Sequence, residues 1–98
     1  MISREDILSK IKSKRKEFNR FGIKGIGLFG SYSKNNQSKN SDIDILIDFE
    51  TEKENFDNLM GVYDLLEDLF RNKKVDIISK NGLSPHIGKH ILNDVIYV

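Results

Sequence analysis

Ahead of Gly22, the apolar positions Ile7, Leu8, Ile11, Phe18 and Phe21 fall mostly on one side of a 3.6-residue repeat, with Lys10, Lys12, Lys14, Arg15 and Lys16 between them. That pattern predicts one amphipathic, basic helix. Ser3 offers a capping hydroxyl, Asp6 an acid for the first turn, and Gly22 a natural stop. Residues Ile23 to Phe29 are apolar and punctuated by glycine, which reads as a buried strand running into a turn at Gly30-Ser31. Residues 33–41, SKNNQSKNS, hold no apolar side chain and read as a solvated loop. The next run, DIDILIDF over 42–49, is a strand that puts Asp42, Asp44, Leu46 and Asp48 on one face and Ile43, Ile45, Ile47 and Phe49 on the other. After a polar, acidic stretch over 50–55, Phe56, Leu59, Met60, Tyr63, Leu66 and Phe70 recur at three- and four-residue spacing through a second helix. Val75 to Ile78 is a third strand, with Asp76 on the face opposite Val75 and Ile77. Ser84-Pro85 caps and starts a short third helix to about Leu92, and Val95 to Val98 has the composition of a final strand. The order is α, β, β, α, β, α, then β, with no internal repeat.

At 98 residues the chain makes one domain with one core, residues 1–98, and is too short for two. Its 32% charged and 38% hydrophobic residues are a folded rather than a disordered mixture. No apolar run approaches the roughly 20 residues of a membrane span, and the N-terminus lacks the apolar stretch of a signal peptide. The expectation is a cytoplasmic protein without a membrane partner. The absence of cysteine excludes disulfides and thiolate metal sites, leaving carboxylates and His86 and His90 as metal ligands. The two histidines are four apart on the third helix with no further ligand at a telling spacing, so they read as a surface pair. The net charge of +1 hides an asymmetry: residues 1–24 carry eight Lys/Arg against three Asp/Glu, and residues 25–98 carry eight against twelve. The basic helix reads as a solvated face, with nucleic-acid phosphates or an acidic partner as the alternatives. No aromatics interleave its lysines, so nucleic acid is the less expected partner.

Three features carry candidate chemistry. Gly30-Ser31, where a strand turns, frees backbone amides and a hydroxyl that suit a phosphate, although the same pair makes an ordinary turn. Asp42 and Asp44 stand two apart on one strand face, where their repulsion is costly unless a cation lies between them. Hard oxygen ligands of this kind select Mg²⁺ or Mn²⁺, with waters and substrate phosphates in the other positions. The alternative is the solvent face of an edge strand. Asp76 lies between apolar neighbours, an expensive place for a carboxylate that does not point at water. Tyr32 beside Ser31 reads as a packing residue, with stacking on a base as its alternative.

Together, LFGSYSKNNQSKNSDIDILIDFE, with ten residues between Ser31 and Asp42, and the later VDII resemble the nucleotidyltransferase superfamily that includes DNA polymerase beta. More narrowly, the chain resembles the minimal nucleotidyltransferases encoded beside HEPN-domain proteins, from the N-terminal helix through the closing ILNDVIYV. The resemblance implies an α/β (α+β) nucleotidyltransferase fold, a small mixed sheet flanked by helices. It also implies Mg²⁺-dependent transfer of a nucleoside monophosphate, AMP from ATP, to an acceptor hydroxyl. By matching motif positions, Gly30 and Ser31 would hold the triphosphate, Asp42 and Asp44 would ligate two Mg²⁺ ions, and Asp76 would complete one metal site and help deprotonate the acceptor. Members of this family resemble antitoxins that attach AMP to a tyrosine of a HEPN ribonuclease toxin, so the implied partner is a HEPN-domain protein. Where many relatives carry a small residue, Arg and Gly after the Gly-Ser, this chain has Ser33-Lys34-Asn35, and Lys34 keeps the charge without the bidentate fork. A different reading of so short a chain is a non-catalytic antitoxin that neutralises its partner by forming a complex.

Overall fold

The computed structural model describes residues 2–98, apart from the side chain of Ile87. The N-terminal basic segment forms two helices rather than one: α1 (Arg4–Ser13) and α2 (Arg15–Arg20). A capping box starts α1: the Ser3 hydroxyl accepts the Asp6 N–H at 3.0 Å, and the Asp6 carboxylate accepts the Ser3 N–H at 3.1 Å. The single helix expected from the pattern is corrected at Lys14, which leaves helical geometry at φ −110°. Next to it the Ser13 hydroxyl donates to the Lys10 carbonyl at 2.6 Å, a side-chain bond that competes with the backbone ladder and bends helices. The apolar stripe survives the break, and Ile7, Ile11 and Phe18 are all buried.

Strand β1 (Ile23–Phe29) follows Gly22, and at its end the expected turn at Gly30-Ser31 is a single helical turn, α3 (Gly30–Ser33). Strand β2 (Ile43–Phe49), helix α4 (Phe56–Leu69) and strand β3 (Val75–Ser79) come next. A 3₁₀ turn (Lys80–Gly82), helix α5 (Pro85–Asp94) and the two-residue strand β4 (Ile96–Tyr97) complete the chain. The sheet order is β3-β2-β1-β4. β1 runs antiparallel to both β2 and β4, whereas β2 and β3 are parallel and joined through α4, as a parallel pair requires a long crossover.

Register divides the sheet into two faces. Ile26 pairs with Ile47 and Leu28 with Ile45, and these residues pack with Ile7, Ile11, Phe18, Val62, Leu66 and Phe70 into one core under α1, α2 and α4. On the other face Phe29 pairs with Asp44, Asp44 with Asp76, and Gly25 with Asp48. A bulge at Lys24, between Ile23 and Gly25, keeps the two sets of β1 side chains on their proper faces. Among the described residues, no helix is long and apolar enough to cross a membrane.

Candidate active site

The acids gather at one end of the second face. Asp44 is the central residue: β1 ends beside it at Phe29, and β3 places Asp76 directly opposite it across the parallel ladder. Asp42 lies just before β2, tied down because the Ile43 N–H donates to the Lys74 carbonyl at 2.9 Å. Asp44 is held above the ordinary carboxylate range, first by partial burial and then by the negative charges of Asp76 and Asp42.

Gly30 brings the turn against this cluster. Its backbone sits at φ +76°, and a β-carbon there would run into the Asp44 carboxylate. Only glycine combines that conformation with so close an approach. The turn is held from within, since the Ser33 hydroxyl donates to the Gly30 carbonyl at 2.9 Å, and from outside by Arg4, which donates to the Ser33 carbonyl at 3.3 Å. A helical start leaves its first amides without partners inside the helix, and α3 starts at Gly30, against Asp44. A Gly-Ser turn beside acids suits a polyphosphate together with its cation.

Two lysines that the sequence reading passed over complete the arrangement. Lys74 Nζ stands 3.9 Å from Asp42 Oδ2 and 3.8 Å from Asp76 Oδ1. Lys73 Nζ donates to the carbonyls of Lys39 (2.8 Å) and Ser41 (3.1 Å), and lies 5.7 Å from the centre of the Tyr32 ring. It thereby ties the polar segment leading into Asp42 to the start of β3. The available signal was two consecutive lysines directly before VDII, one of them two residues from Asp76 and so on its face. Tyr32 is fully buried, a packing residue as expected. Lys34 pairs with Asp94 of α5 at 3.3 Å, so its charge is shared with a carboxylate. Asp48, the remaining acid on this face of β2, is neutralised by Lys80 at 3.8 Å and Lys24 at 4.0 Å and stands apart from the cluster.

The donor set fits a hard divalent cation that keeps water and phosphate ligands, because carboxylate oxygens from β3 and from the start of β2 lie on one sheet face beside the Gly30 turn. Among the described residues, no three His, Cys, Asp or Glu side chains converge closely enough to enclose an ion by themselves. His86 and His90 are exposed on α5 and belong to no such group.

An antiparallel-parallel mixed sheet that gathers acids from two strands beside a Gly-Ser turn defines a nucleotidyltransferase-type domain. The chain belongs to the polymerase beta nucleotidyltransferase family, whose model matches residues 9–98. The protein adenylyltransferase MntA of Thermococcus cleftensis is 37% identical over 99 residues, covering 100% of this chain and 98% of that protein. A Methanocaldococcus jannaschii relative named as a protein adenylyltransferase is 41% identical over 95 residues, with 96% and 93% covered. Among solved structures, one described as a minimal nucleotidyltransferase superposes with a TM-score of 0.77 at 26% identity, covering 97% of this chain and 95% of that one. An MntA–HpeT toxin–antitoxin structure superposes with a TM-score of 0.60 at 20% identity, covering 98% of this chain and 71% of that one, which is a likeness of fold. The nucleotidyltransferase fold and enzyme class expected from the motif are thus borne out.

Proposed function

We propose that residues 1–98 are a single minimal nucleotidyltransferase domain that transfers AMP from ATP to a hydroxyl of a partner protein, a HEPN-type ribonuclease toxin, and so acts as its antitoxin in the cytoplasm. The observation that carries the reading is the meeting of Asp42, Asp44 and Asp76 at the edge of the Gly30-Ser31 turn, with Asp44 raised by partial burial and then by its two neighbours. The named activity of the relatives supports the protein acceptor. So does the openness of the site: the Asp42 and Asp76 side chains are 42% and 43% exposed, leaving a macromolecular acceptor room to bring its own walls.

In this reading Gly30 and Ser31 hold the triphosphate of ATP, and Gly30 leaves it space beside Asp44. Asp42 and Asp44 would hold two Mg²⁺ ions, with Asp76 completing one of the sites. When bound, the ions supply charge for the attacking and leaving oxygens of an in-line displacement. The acceptor oxygen forms a bond to the α-phosphorus as the bond from that phosphorus to the bridging oxygen breaks. Pyrophosphate leaves, and the hydroxyl proton passes to the Asp76 carboxylate. The protein contributes chiefly position and charge.

Intact-mass spectrometry of the protein encoded next door tests this, after incubation with the chain, Mg²⁺ and each nucleoside triphosphate in turn. One or more AMP additions with ATP, lost in Asp42→Asn/Asp44→Asn, is the expected result. No addition, together with a stable complex of the two proteins, would shift the assignment to a non-catalytic antitoxin. The Lys74 ammonium between Asp42 and Asp76 is the observation that favours this second reading, since it supplies a cation from the chain itself.

A further inference from the structure

The acid cluster has an internal cation whose placement is set by the fold. The Lys74 carbonyl accepts the N–H of Ile43, which fixes Lys74 beside the residue between Asp42 and Asp44. Its position two residues before Asp76 then sends its side chain along the same sheet face. The ammonium ends within 4.0 Å of one carboxylate from each side of Asp44, at 3.9 Å from Asp42 and 3.8 Å from Asp76. Asp44 itself forms no ion pair among those found in the described residues, and its charge is opposed by both neighbours. Lys73, next in the chain, makes different bonds: it faces the carbonyls of Lys39 and Ser41 and reaches none of the three acids.

We infer that Lys74 is a built-in counter-ion that spans Asp42 and Asp76 in the metal-free protein and must swing away when a divalent cation enters, so that it sets the metal affinity of the site. The inference rests on the proposed metal-binding role of the three aspartates. Its physical basis is competition: one ammonium and one divalent ion seek the same oxygens, and each electrostatic contact made by the lysine is one the incoming metal must displace. At 70% exposure the Lys74 side chain is free to leave, since it buries little surface and its pairs are solvent-screened. The arrangement compensates Asp42 and Asp76 while the metal is absent, and leaves Asp44 without a counter-charge of its own among the described residues.

The test is a titration with Mn²⁺ in the absence of nucleotide, following the electron paramagnetic resonance signal of the free ion. Lys74→Met is expected to bind Mn²⁺ about three- to tenfold more tightly than the parent protein, the range for losing two solvent-screened pairs. Lys74→Gln should behave alike, and Lys74→Arg should stay close to the parent because its charge remains. Lys73→Met removes an equal charge one residue away and should not tighten binding. Unchanged or weaker Mn²⁺ binding in Lys74→Met overturns the inference, as does equal tightening in Lys73→Met, which would reveal a diffuse field in place of a contact. If the parent protein binds no better than Asp42→Asn/Asp44→Asn, the metal-binding reading itself falls and takes this inference with it. Parent binding abolished by the paired Asn variant, without tightening in Lys74→Met, rejects the role of Lys74 alone.

Discussion

Asp44 is the residue where stability and chemistry oppose each other. Its carboxyl is raised by partial burial and by Asp76 and Asp42, so its ionised form is disfavoured in the folded state relative to the unfolded chain. Such a group weakens the fold at neutral pH, and the penalty disappears once acid protonates it in both states. Asp44→Asn should therefore abolish transfer while raising Tm by about 2–4 °C at pH 7, since solvent screening keeps the gain near about 0.5 kcal/mol. The Tm difference from the parent should close as pH falls below 3.8, the ordinary value for the unfolded carboxyl. Thermal melts of both proteins across pH decide the point, and a variant less stable than the parent at pH 7 would contradict it. Gly30 offers the converse case. An added methyl at φ +76° meets both backbone strain and the Asp44 carboxylate, so Gly30→Ala should lose about 1–2 kcal/mol from the conformation alone and most of its transfer activity. Denaturant melts beside the mass assay would reveal an unstrained glycine if neither changed.

Between elements, the segment from 34 to 42 is held mostly by bonds to the adjacent turn and within Ser38–Ser41, and Lys73 anchors its end to β3. Two charged hydrogen bonds to carbonyls, at 2.8 and 3.1 Å, join it to the start of β3. Lys73→Met should raise the population of the open segment about tenfold, the equivalent of about 1.4 kcal/mol, and speed proteolytic nicking within 33–41 accordingly. Lys73→Arg should keep most of the protection, because it still donates to carbonyls. Equal nicking rates in parent and Met variant would show that other contacts hold the segment. This anchor also marks where the sequence stops being legible. Ile23–Phe29 and the alternation of DIDILIDF are local patterns, and the strands appear where the patterns put them. The break at Lys14 depends on one hydroxyl choosing a carbonyl, and the turn at Gly30–Ser33 depends on bonds from Ser33 and Arg4, which no periodicity encodes. Gly30, Ser31, Asp42, Asp44 and Asp76 stood out because their residue types and spacing carry chemistry. Lys73 and Lys74 did not, because their meaning comes from the pairing of β2 with β3, a contact across some thirty residues.

The whole molecule divides its work between the two faces of one thin sheet. One face is aliphatic and carries the core against α1, α2 and α4; the other carries the acids, with α5 packed against part of β1 and α3. Because side chains alternate along a strand, Ile43 and Ile45 belong to the core while Asp44 between them belongs to the site. The two sets of side chains share backbone and little else, so damage to one face should be separable from damage to the other. Leu66 on α4 is fully buried and contacts no residue of the acid cluster in the core it joins. Leu66→Ala should cost about 3 kcal/mol, within the range for buried leucines, and lower Tm by roughly 12–24 °C for a domain of this size. Well below that lowered Tm, transfer per folded molecule should stay within about twofold of the parent, since sites beyond direct contact act nearly independently. Asp44→Asn predicts the opposite pair of results, with a higher Tm and no transfer. Melting curves and single-turnover mass assays on the two variants test the division directly. A Leu66→Ala protein that is folded yet inactive would mean that packing on the core face sets the register of Asp44 against Asp76, and that a sheet this thin transmits strain from one side to the other.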